Sequence, residues 1–95
     1  MAKAEMYMLY IKRDPSIPYE TIKEKINLAV DWYRINENLW ILYSTSDVEK
    51  WYERLSPFVK NGGNIFICKL DISERQGWMD KKFWKWVRRE KTVSN

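Results

Sequence analysis

The segment from Asp80 to Arg89, DKKFWKWVRR, interleaves cations with aromatic rings. Cationic side chains neutralise phosphates, and tryptophan rings stack on bases. Wound as a helix at about 100° per residue, the segment places Phe83, Trp84, Trp86 and Val87 within an arc of about 160°. Lys81, Lys82, Lys85, Arg88 and Arg89 fall on the opposite arc. Such a helix docks by its aromatic side and presents a basic one. The plainer alternative is a solvated face whose cations sit favourably against the helix dipole.

The charge distribution sharpens this reading. The 95-residue chain carries +4, with ten basic and ten acidic residues up to position 71, so the whole excess lies in residues 72–95. A basic end of this kind suits an anionic partner. Lys12 and Arg13 close the first apolar run; in a symmetric dimer they would be doubled into a second positive patch, or else meet Asp14 and solvent.

Other chemistries find little to work with. The chain has no histidine, the commonest general base and metal ligand, and a single cysteine, Cys68. No internal disulfide can form, a reducing compartment is the natural reading, and no cofactor is implied. Cys68 sits within an apolar run and reads as a small buried hydrophobe with no histidine to activate it. Asp14 is a possible metal ligand, yet before Pro15 it reads better as a turn residue bonding the following backbone. Gly62-Gly63 lacks the Lys-Ser/Thr ending of a phosphate loop. No apolar run approaches the roughly 20 residues of a membrane span, and the first residues lack a signal-peptide stretch, so a cytoplasmic protein is expected.

The elements that must position these residues follow from periodicity. Glu5 to Lys12, EMYMLYIK, suits a buried strand, and Asp14 to Pro18 breaks it. Tyr19, Ile22, Ile26 and Ala29 share one helical face after Pro18. Asp31 to Ile35 and Leu39 to Tyr43 read as strands joined by Asn36-Glu37-Asn38, a loop tolerant of positive φ. Ser46 with Glu49 gives the S-x-x-E signature of a helix start; Val48, Trp51 or Tyr52, and Leu55 continue it, and Pro57 stops it. Asn61 to Asn64 turns the chain into a fourth strand, Ile65 to Leu70. The order is βαββαβ over residues 4–71, whose compact solution is a four-stranded antiparallel sheet with both helices on one face. Residues 72–91 add a polar connection and a terminal helix capped by Asp80. All 95 residues form one α+β domain of ferredoxin-like order.

These segments together resemble the small SinR-like proteins, which are similar in fold to the CRISPR-associated nuclease of the spacer-acquisition complex and to VapD-type toxins. The matching pieces are YMLYI from Tyr7, WYRINENLWILY from Trp32, SDVEKWYERLSPFV from Ser46, NIFICKL from Asn64 and GWMDKKFWKWVRRE from Gly77. The resemblance implies a ferredoxin-like fold and a homodimer, and little about activity. In the nuclease relatives an aspartate at the end of the first strand holds a metal across the dimer; the matching position here is Lys12, which would repel a divalent cation. The expected protein is therefore a non-enzymatic homodimeric module that contacts nucleic-acid backbone through Lys81, Lys82, Lys85, Arg88 and Arg89, with Lys12 and Arg13 contributing. A protein-binding inhibitor or accessory of a nucleic-acid-processing or defence complex is the alternative. A degenerate metal-dependent nuclease comes third.

Overall fold

The computed structural model describes the backbone of residues 3–93 and the side chains of residues 3–88. The elements are β1 (Glu5–Lys12), α1 (Tyr19–Ile26), β2 (Asp31–Asn36), β3 (Leu39–Ser44), α2 (Val48–Leu55), a short 3-10 turn (Ser56–Phe58), β4 (Asn64–Lys69) and α3 (Lys81–Val93). The strands form one antiparallel sheet in the order β2-β3-β1-β4. Each strand-helix-strand unit thus skips one place, and the intervening strand runs the other way. This is a four-stranded antiparallel α+β architecture compatible with a ferredoxin-like arrangement.

Alternation along the strands builds two cores. Tyr7, Leu9 and Ile11 of β1 and Trp40 and Leu42 of β3 turn to one face, where they bury against Ile22 and Ile26 of α1 and Trp51 and Leu55 of α2. Met6, Ile41 and Tyr43 point to the other face and meet Trp86 and Val87 of α3, with Tyr33, Ile35, Leu70 and Ile72 packed alongside. The sheet is therefore covered on both sides. α3 lies over its β2-β3-β1 part and leaves the β4 side open.

Several local expectations need correction. α1 ends at Ile26, so Ala29 packs against the core from the following turn and not from the helix; Pro18 stands at the N-cap. α2 is capped by Asp47, whose carboxylate accepts the Lys50 N–H at 2.9 Å, and not by Ser46. Trp51 and Leu55 turn inward, leaving Val48 and Tyr52 outside. The β2–β3 connection contains no positive φ; the strands instead absorb a bulge between Arg34 and Asn36. The one positive φ among the described residues is Gly62, at 91°, in the turn into β4. Beside it, Gly63 is a close-approach glycine, since a Cβ there would collide with the Lys12 carbonyl oxygen. Cys68 is half-buried, not buried, because it lies on the side of the sheet that α3 leaves open.

Candidate nucleic-acid interface

α3 begins where Asp80 satisfies it. One Asp80 carboxylate oxygen accepts the Phe83 N–H at 3.0 Å and the Tyr33 hydroxyl at 3.1 Å, tying the helix start to β2. Burial and the Asp80 carboxylate together hold the Tyr33 phenol above its ordinary pKa. Trp86 and Val87 then anchor the helix in the sheet, and Phe83 packs edge-on against both Tyr33 and Trp84. With the aromatic side committed inward, Lys81, Lys82, Lys85 and Arg88 are exposed.

Two grooves flank this basic ridge. One, of about 500 Å³, is lined by Lys81, Lys82, Trp84, Lys85 and Arg88. The other, of about 350 Å³, is lined by Tyr33, Lys82, Lys85 and Trp86. Lys82 and Lys85 belong to both, and among the described residues no carboxylate lines either one. A third, apolar pocket of about 270 Å³ lies under the helix start, between Phe83, Trp84 and the 72–79 connection. The backbone of Arg89 continues α3, but its side chain lies outside the described residues.

The other two predicted contacts lie elsewhere. Lys12 and Arg13 stand at the far end of β1 from Met6, where α3 packs, and help line a cleft of about 190 Å³ with Pro15, Glu37 and Asn38. At about 3.4 Å per residue, the six steps from Met6 to Lys12 span roughly 20 Å. Arg13 is also engaged locally: its Nε donates to the Ile17 carbonyl at 2.7 Å and its guanidinium lies over the Tyr19 ring. The structure therefore gathers Lys81, Lys82, Lys85 and Arg88 into one surface and leaves Lys12 and Arg13 as a separate patch.

Asp14, 7% exposed, behaves as a turn residue. Its carboxylate accepts both the Ser16 N–H and the Ser16 hydroxyl at 2.9 Å. The Ser16 N–H first, then the hydroxyl, holds the acid below its ordinary pKa, with Asn61 adding to the effect. No group of three or more acidic or cysteine side chains comes together among the described residues. No helix among them is long and apolar enough to cross a membrane.

Two residues escaped the sequence reading. Trp78 is 96% exposed, two positions before the Asp80 cap. Its signal was available: a tryptophan in a polar connection with no apolar partner at helical or strand spacing. Tyr33 flanks the Lys82–Lys85 groove, which only the docking of α3 on β2 reveals. No protein-family model, curated protein or solved structure matches the chain.

Proposed function

We propose that this protein is a non-catalytic, homodimeric, ferredoxin-like binding module that holds nucleic-acid backbone along α3. The observation carrying this reading is that Lys82 and Lys85 line both grooves, one floored by Trp84 and the other by Tyr33 and Trp86, with no carboxylate among the described residues that line them. A single row of cations could be ordinary solvated surface. Cations shared by two concave, ring-lined channels provide phosphate neutralisation and stacking surfaces in one place. Backbone contacts carry no base information, so binding should show little sequence preference. The kinship to SinR-like proteins and a second contact through Lys12 and Arg13 belong to the same proposal.

The test is fluorescence anisotropy with labelled single-stranded RNA and DNA at low salt. Lys82→Glu with Lys85→Glu should leave the fold and oligomeric state unchanged, since both side chains are exposed, and should reduce affinity strongly. A folded double variant that binds as tightly as the parent refutes the proposal. The exposed Trp78 beside the apolar pocket favours a second reading, docking on another protein of a nucleic-acid-processing complex. That reading takes the lead if the parent protein shows no nucleic-acid affinity.

A further inference from the structure

The free edge of β4 is unusually undefended. Edge strands are normally protected by charge, proline or a bulge. The opposite edge, β2, has a bulge. β4 reads NIFICK, without proline and in unbroken register with β1, and its one charge, Lys69, is turned back onto β1 by a 2.7 Å ion pair with Glu5. Three of the exposed large apolar residues border this edge: Phe66 at 59%, and Val48 and Tyr52 of α2, which with Glu49, Ile65 and Ile67 line a groove of about 500 Å³.

The direction of the backbone groups follows from the register. Leu70 N–H donates to the Met6 carbonyl, so residues 64, 66, 68 and 70 face β1. The N–H and C=O groups of Ile65, Ile67 and Lys69 therefore point out of the sheet. These three residues are spaced evenly about Ile67.

We infer that β4 pairs antiparallel with β4 of a second copy, about a two-fold axis at Ile67, to form one eight-stranded sheet. In that register Ile67 bonds its own counterpart and Ile65 bonds Lys69 in both directions, satisfying all six outward groups. Phe66 then stands opposite the copy's Cys68, so the largest side chain on that face meets a small one. A second copy fits better than a charged foreign strand because β4 itself carries no unpaired charge, its lysine being already paired with Glu5; Glu49 of α2 stands beside it. The basic excess rides on α3, over the other side of the sheet. The inference deepens the dimeric part of the proposed function and is independent of nucleic-acid binding, so the two fail separately.

Phe66 and the opposing Cys68 form a non-hydrogen-bonded pair, with Cα atoms about 4.5 Å apart, within the range a disulfide spans. The 95-residue chain should sediment at twice its 11.6 kDa. Under mild oxidation, Phe66→Cys should convert to a covalent dimer that a reductant reverses. Phe66→Cys combined with Cys68→Ser should stay uncross-linked, as should the parent, whose two Cys68 residues lie diagonally across the axis. A monomeric parent at micromolar concentration overturns the inference and leaves the edge for a strand of another protein. A dimer in which Phe66→Cys does not cross-link overturns it in favour of a different interface.

Discussion

Asp14, two residues past the end of β1, is held in its turn by local hydrogen bonds. Two hydrogen bonds from Ser16 hold its carboxyl below the ordinary value. The unfolded acid titrates near its usual value of about 3.9. The stabilisation from this group is therefore complete above that value and is lost as pH falls through the lower folded value. Ser16→Ala should raise the Asp14 pKa, read by carboxyl NMR titration, and make the Asp14 share of acid destabilisation smaller; an unchanged titration would contradict the assignment. This role was legible in the sequence because Asp before Pro has a local mechanism. Trp78 carries a weaker local signal, a tryptophan in a polar connection, set against the general tendency of tryptophan to enter a core. Being 96% exposed, it contributes little to folding. Trp78→Ala should leave the urea midpoint unchanged and weaken single-stranded nucleic-acid binding by about 1–3 kcal/mol if one base stacks on it.

At the scale of elements, the caps and anchors of the helices make separate predictions. Both Ser46 and Asp47 are good cap residues, and the S-x-x-E pattern pointed to Ser46. The Asp47 carboxylate takes the Lys50 N–H and the helix runs from Val48, a choice between two adjacent cap residues that the local pattern alone does not make. Asp47→Ala should cost about 1 kcal/mol in chemical denaturation, and Ser46→Ala close to nothing. α3 depends on Trp86, which is 8% exposed and whose indole N–H has no partner among the described residues. Trp86→Ala should destabilise the protein by about 3–5 kcal/mol. Trp86→Phe should cost much less, because it keeps most of the packing and forfeits no hydrogen bond. An equal loss in the two variants would mean that the indole ring is not held by packing alone.

For the molecule as a whole, the strands and their helical connections were readable because each is a short periodic run bounded by Pro, Gly or Asn. The places where two elements meet were harder to read. That α3 would cover β2-β3-β1 and leave Phe66 and Cys68 open depends on β1 lying between β3 and β4, a long-range pairing no window of sequence contains. The same placement separates Lys12 and Arg13 from the α3 ridge and makes Tyr33 a groove residue. In an eight-stranded dimer, both α3 helices would lie on one face of the sheet. With strands about 4.8 Å apart, the two β3 strands beneath them would be roughly 24 Å from each other. Two basic ridges on one face would let a single nucleic acid engage both copies. Binding through phosphates has one signature that solvated lysines and protein docking lack: a steep, linear fall of log affinity with log salt. The most direct test is therefore a salt series of single-stranded nucleic-acid affinity for the parent and for Lys82→Glu with Lys85→Glu. A steep slope in the parent, reduced by about two units in the double variant, is the predicted result; a salt-independent affinity, or a slope the double variant leaves unchanged, contradicts the account.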